Sequence, residues 1–283
     1  MSAHSTIFFG AGPGRCGTMT LANLLNAEDR VLCTHEGKIR RGTESGQQWL
    51  PFLTMENYLA YADPGQAQTI FREKRKDMLE IAERENLRAF GDIAYNNAPF
   101  TAAIPHVFPQ ARLIVMVRDG RDFVRSAYTA VRPDPTPVGW LDNDTTLTPL
   151  EKYISFGRLR PLDAEEPGSA WQGMSALEKN AWLWAETMRL IHEGLANWDD
   201  ENVLILRFED FFASPLEHYP KVRAFLGLDD APMPEKVSVL AAARINRRRV
   251  GDCILPPWRE WTKEQTLAFM RQAEGMMARW SYI

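Results

Sequence analysis

Four groups of residues have the types and spacing to do chemistry. The first is Gly10-Ala11-Gly12-Pro13-Gly14-Arg15-Cys16-Gly17-Thr18-Met19-Thr20, between the apolar run Ile7-Phe8-Phe9 and the helix-like Leu21-Ala22-Asn23-Leu24-Leu25. A strand feeding a glycine-rich turn and a helix start makes a cup of backbone N–H groups. The helix dipole adds partial positive charge there, so the cup suits a phosphate or sulfate. Gly12 and Gly17 have the spacing of the nucleotide pattern G-x-x-x-x-G-K-[ST], but Thr18 stands where that pattern has Lys. An ATP or GTP site would lack the cation that reaches the outer phosphates, and the only nearby cation is Arg15. The second group is Arg118 and Ser126, eight positions apart at the end of an apolar run and in the segment after it. A guanidinium grips phosphate oxygens in bidentate fashion, and a Ser hydroxyl two turns into a helix adds a donor. The plain alternative pairs Arg118 with Asp122 and leaves Ser126 in solvent. The third group is His35 and Glu36, which end a short strand-like run from Arg30. The fourth is the basic turn Arg247, Arg248 and Arg249 before Gly251-Asp252, whose charges either meet an anion or sit solvated.

Arg15-Cys16-Gly17-Thr18 resembles the [KR]-x-G-T-[TS] loop of the sulfotransferases that use 3′-phosphoadenosine 5′-phosphosulfate (PAPS). Met19 takes the place of the usual second hydroxyl, and Thr20 follows one step later. Arg118 and Ser126 match the Arg and Ser that hold the 3′-phosphate in that family. Phe108-Pro109-Gln110-Ala111-Arg112-Leu113-Ile114, Leu206-Arg207-Phe208-Glu209-Asp210, Ser214-Pro215 and Phe225-Leu226-Gly227-Leu228 are similar to further phrases of the family, so the resemblance spans most of the chain. It implies that Gly14, Arg15, Cys16, Gly17, Thr18, Met19 and Thr20 bind the 5′-phosphosulfate, with Arg15 also acting in catalysis. It also makes the Arg247–Arg249 turn the late basic loop over the 3′-phosphate.

The resemblance places the general base after the second strand, where Glu36 falls twenty-one positions beyond Arg15. His35 is its neighbour, and alternation on a strand would point the two apart, so that one of them faces the donor. A salt bridge from Glu36 to Lys38 or Arg40 is the structural alternative. One departure matters: the family's third-strand phrase G-[DE]-K reads Gly91-Asp92-Ile93 here, so the contribution of that Lys must come from Arg15, Lys38 or elsewhere. The implied reaction is in-line sulfonate transfer from PAPS, with PAP as product, to a hydroxyl or less readily an amine of a small-molecule or carbohydrate acceptor. The scheme requires no metal. Two rival readings are a P-loop kinase of a small metabolite and a non-catalytic PAP-binding regulatory protein.

These residues need a scaffold, and the chain supplies alternating strand and helix signals. Ala111–Val117 is an unbroken apolar run suited to the centre of a parallel sheet. Further strands are expected at Arg30–Glu36, Leu87–Ile93 and Asn202–Phe208, the last also buried. A helix carrying Phe123, Ala127 and Val131 should follow the central strand. Gln66–Asn86 suits a partly exposed helix with Ile70, Met78, Leu79, Ile81 and Ala82 inward, and Phe100–Val107 a shorter one. Leu177, Ala181, Trp184, Met188, Ile191 and Leu195 form a core stripe on the clearest helix. Helices are also read at Leu216–Leu226, at Lys236–Ala243 and from Thr262, the last with Leu267, Met270, Met277 and Trp280 inward. The expected fold is α/β, a three-layer doubly wound, mainly parallel sheet flanked by helices in the P-loop manner. We read residues 1–283 as one domain. Residues 132–173, broken by six prolines, form an irregular insert or lid on the acceptor side. Trp140, Tyr153, Phe156, Arg158, Arg160 and Trp171 in it either bind acceptor or pin the loop to the body.

A chain of 283 residues buries enough surface to need no disulfide or metal, and three scattered cysteines offer neither framework nor zinc site. The net charge of −4 argues against general nucleic-acid binding. The N-terminal residues show no signal peptide and no run approaches a membrane span, so a soluble, cytoplasmic protein is expected.

Overall fold

The computed structural model describes residues 5–39, 46–129, 139–142, 158–242 and 255–283. In chain order its strands and α-helices are β1 (Thr6–Ala11), α1 (Thr18–Leu25), β2 (Val31–Thr34), α2 (Glu56–Ala62), α3 (Ala67–Arg75), α4 (Met78–Arg84), β3 (Ala89–Ile93), α5 (Ile104–Val107), β4 (Arg112–Val117) and α6 (Gly120–Thr129). They continue with α7 (Ala170–Gly173), α8 (Ala176–Gly194), β5 (Val203–Arg207), α9 (Phe208–Ala213), α10 (Pro215–Leu226), α11 (Glu235–Ala242) and α12 (Lys263–Arg279). The strands pair in parallel in the order β2-β3-β1-β4-β5. Sequence alternation sorts their side chains into two helical layers. Phe9, Leu113, Val115 and Val117 enter the core that includes α3 and α8, whereas Phe8, Ile114 and Met116 enter the core with α1 and α10. A strand buried on both faces must be apolar throughout, which explains the unbroken run of β4.

Local chemistry sets the helix ends. Ser175 and Glu178 form a reciprocal capping box at the start of α8, and Thr262 with Gln265 does the same for α12. Several expectations need correction. β5 is an edge strand with a single neighbour, so Ile205 is 50% exposed and the strand is not buried as expected. The Gln66–Asn86 helix divides into α3 and α4, with Phe71 in the core and Leu79 exposed. A 3-10 turn at Tyr95–Phe100 precedes the short α5 in place of one helix over Phe100–Val107. On α12 the inward residues are Phe269, Ala273 and Met277, while Leu267 is exposed. Val131, Tyr153 and Phe156 lie outside the described residues, as do residues 132–138 and 143–157 of the 132–173 stretch and the Arg247–Arg249 turn. The described flanks of that stretch are packed. Trp140 donates its indole N–H to the Leu159 carbonyl and sits edge-on to Trp171, which in turn packs against Trp182.

Candidate active site

The glycine-rich loop joins β1 to α1 at the point where strand order reverses, with β3 on one side of β1 and β4 on the other. Gly14, Arg15 and Gly17 all have left-handed backbones, at φ 75, 53 and 83. Successive turns of this kind aim N–H groups into one concavity. Gly17 is the N-cap of α1 and provides no side-chain cap, and the first turn of a helix directs N–H groups and partial positive charge toward an anion. Only glycine fits there, because a Cβ would lie 2.2 Å from the Phe212 ring. Cys16 is fully buried beside the α1–α10 core, and its thiol also takes backbone hydrogen bonds from Gly14 and Thr18 of the same loop. Burial pushes its thiol up to about 11, opposed first by the Arg118 charge, so the thiol stays protonated near neutral pH and is a poor nucleophile. Thr18 and Thr20 are buried and Met19 is half-buried. Thr18 Oγ1 lies 3.0 Å from His35 Nε2.

The two signature stretches meet in space. Arg15 Nε donates to Ser126 Oγ at 3.0 Å across 111 positions of sequence, and Arg118 donates to the Arg15 carbonyl. Arg118 directly follows β4, stacks its guanidinium 4.2 Å over the Phe208 ring, and has its own carbonyl held by the Trp184 indole N–H at 3.0 Å. Its Nε is buried without a hydrogen-bond partner. Burial lowers the Arg118 pKa, opposed first by the charge of Asp122. Trp184 is thus a packing residue that also fixes the strand end.

His35 and Glu36 do not lie on a strand, because β2 ends at Thr34. They begin a tight turn in which His35 N–H donates to Lys38 O at 2.7 Å and Lys38 N–H to His35 O at 3.3 Å. Its central residues Glu36 and Gly37 have φ 56 and 76, the type I′ pattern. The expected divergence of the two side chains therefore fails: His35 Nδ1 lies 3.9 Å from Glu36 Oε1. His35 is buried and Glu36 keeps a 22% exposed side chain. Lys38 lies 4.8 Å over the Phe52 ring, and Ile93, where the family has Lys, packs against Gly10.

Sequence reasoning missed the groups behind this turn. Asp92 is fully buried and bonds to Arg75, to the Thr34 hydroxyl and to the Gly37 N–H. A carboxylate inside the apolar run Ala89-Phe90-Gly91-Asp92-Ile93 was the available signal. Glu209 was missed as well: it accepts from the Asp119 N–H at 2.9 Å and from the Tyr282 hydroxyl at 3.0 Å, tying the loop after Arg118 to the C-terminal segment. Among the described residues no group of His, Cys, Asp and Glu is arranged to hold a metal ion, and no helix is long and apolar enough to cross a membrane.

Among solved structures, the sulfotransferase domain from the curacin biosynthetic pathway aligns with TM-score 0.50 and 13% identity over 95% of this chain and 96% of that one. A sulfotransferase from Alicyclobacillus acidocaldarius aligns with TM-score 0.47 and 18% identity over 96% and 94%. A mouse sulfotransferase complexed with PAP aligns with TM-score 0.45 and 16% identity over 98% and 89%. At such identity the curacin-pathway likeness speaks to the fold alone. No curated protein sequence matches the chain. The sequence model of the sulfotransferase family matches residues 8–232, from β1 to beyond α10, and on that match this chain belongs to the sulfotransferase family.

Proposed function

We propose that this sulfotransferase moves the sulfonate of PAPS to a hydroxyl, or less readily an amine, of a small-molecule or carbohydrate acceptor by in-line displacement. The observation that carries the reading is the contact between Arg15 and Ser126, which joins the loop cup to the end of β4. A PAPS site needs two anion-binding ends, and the buried, unpartnered Nε of Arg118 fits the second. The loop N–H groups from Arg15 to Thr20, with the Arg15 side chain, would hold the 5′ end and stabilise charge on the leaving phosphate. Arg118 and Ser126 would hold the 3′-phosphate. At least one of Arg247, Arg248 and Arg249 would close over it, and the 132–173 stretch would select the acceptor.

Glu36 would take the acceptor proton, a contribution of about 10²–10⁴ in rate. Its backbone supports this. The first central position of a type I′ turn suits Asn, Asp or Gly, and a Glu there carries about 1–3 kcal/mol of strain. Residues held in this way persist where the surroundings over-determine them, and they cluster at active sites. His35, next to Thr18 on one side and Glu36 on the other, would orient the base. The test is incubation with labelled PAPS and an acceptor library, with products identified by mass. A product heavier by one sulfonate and an equal yield of PAP are expected. PAP binding without transfer to any acceptor would make the chain a nucleotide-binding regulator instead.

A further inference from the structure

We infer that Asp92, charge-balanced by Arg75, is a positioning residue that sets the turn presenting Glu36. The inference rests on the reading of Glu36 as the base. Asp92 and Arg75 are 0% and 1% exposed, and the Asp92 Oδ2 to Arg75 Nη2 distance is 2.7 Å. A buried ion pair is seldom a net source of stability, because removing both charges from water offsets most of their attraction. A pair of well-packed apolar residues would hold β3 to α3 at least as well. What an apolar pair could not do is what the other carboxylate oxygen does here.

Asp92 Oδ1 accepts the Thr34 hydroxyl at 2.7 Å and the Gly37 N–H at 2.9 Å. Those residues flank His35 and Glu36, so one oxygen clamps both ends of the dipeptide. The Gly37 carbonyl is fixed as well, accepting the N–H groups of Trp49 at 2.9 Å and Leu50 at 3.0 Å. Arg75 reaches that second strap too, donating to the Pro51 carbonyl at 2.8 Å. The clamp therefore holds Gly37 from both sides. Gly37 cannot be replaced without moving the strap, since a Cβ would meet the Leu50 carbonyl oxygen at 2.4 Å. Two consecutive left-handed residues, one of them a Glu, persist only where the surroundings over-determine them. The Asp92 carboxylate is the charged part of those surroundings.

The test uses the full chain and two substitutions. Asp92→Asn keeps the shape and removes the charge opposite Arg75. Thr34→Val removes only the hydroxyl, leaves the ion pair intact, and decides the question if Asp92→Asn does not fold. A turn displaced by about 1 Å can lose about 10²-fold in rate, so kcat should fall about tenfold to a hundredfold while KM for PAPS and the Kd of PAP stay unchanged. The acidic limb of the pH–rate profile should stay where it is in the parent protein, because the proton acceptor is the same. Disappearance of that limb would make Asp92 the acceptor itself and overturn the inference. The Gly37 amide proton supplies a readout free of activity. In Asp92→Asn, or in Thr34→Val if that alone folds, its resonance should move and its exchange with solvent quicken. An unmoved Gly37 amide with parental kcat in the variants overturns the inference, whatever the fate of Glu36→Gln. Parental turnover in Glu36→Gln sinks only the base assignment, and the Gly37 amide still decides whether Asp92 sets the turn.

Discussion

Arg118 and Arg15 form one hydrogen-bonded unit, so a substitution at either reaches both ends of the site. Arg118 donates to the Arg15 carbonyl while its buried Nε has no partner. Arg118→Ala should therefore weaken PAP by about 10- to 100-fold, the value of a charge-assisted contact of about 1.5–3 kcal/mol. Adenosine 5′-phosphosulfate, which lacks the 3′-phosphate, should lose much less in calorimetric titration. Equal losses would mean that Arg118 acts through the Arg15 loop alone. Glu36→Gln should lower turnover by about 10²–10⁴ with PAP affinity intact, and unchanged turnover would move the base to His35. The spacing of Arg15, Arg118 and Ser126 was legible because each follows a strand end whose apolar run announces it. The relation of His35 to Glu36 was not, because alternation holds only within a strand and β2 stops one residue earlier. Asp92 was read only as a departure from a motif, since its partners Thr34, Gly37 and Arg75 are distant in sequence.

Elements differ in how much they tolerate, and two glycines show it. Gly17 has φ 83 and a Cβ there would lie 2.2 Å from Phe212, whereas Gly275, inside α12, has nothing within 4 Å. Gly17→Ala should lower stability by about 1–3 kcal/mol and abolish PAP binding, because the start of α1 must shift. Gly275→Ala should raise stability by about 0.5–1 kcal/mol and leave binding alone, because it only removes backbone entropy from a helix interior. Urea melts with and without PAP measure both. Loss of stability in both variants would show that α12 is packed against something at Gly275. At this scale β4 and α8 were legible because burial on two faces or a long stripe leaves no other pattern. β5 was misread because an edge strand of Val, Leu and Ile has the composition of a central one. Leu79 and Leu267 were misassigned for a related reason: apolar type does not fix helix rotation when polar neighbours let either face turn out.

The proposed site draws on four adjacent strands. The cup follows β1, Arg118 follows β4, Glu36 follows β2 and Asp92 lies in β3. A ligand that spans the loop and the β4 end ties the central strands together and binds the folded state alone. Free PAP at 100 times its Kd then adds about 2.7 kcal/mol. For a chain of this length that corresponds to a rise in Tm of about 4–5 °C. ATP with Mg²⁺ should give no comparable rise, because Thr18 stands where a kinase loop carries its Lys and Arg15 is bonded to Ser126. The charge pattern sharpens the contrast. With a net charge of −4 the protein repels polyanions at long range, so affinity must come from the local donors around Arg15 and Arg118. The PAP-induced rise should accordingly survive moderate salt, because those groups are partly buried and weakly screened. A larger rise with ATP and Mg²⁺ than with PAP would assign the loop to phosphoryl transfer and end the sulfonate reading of this site.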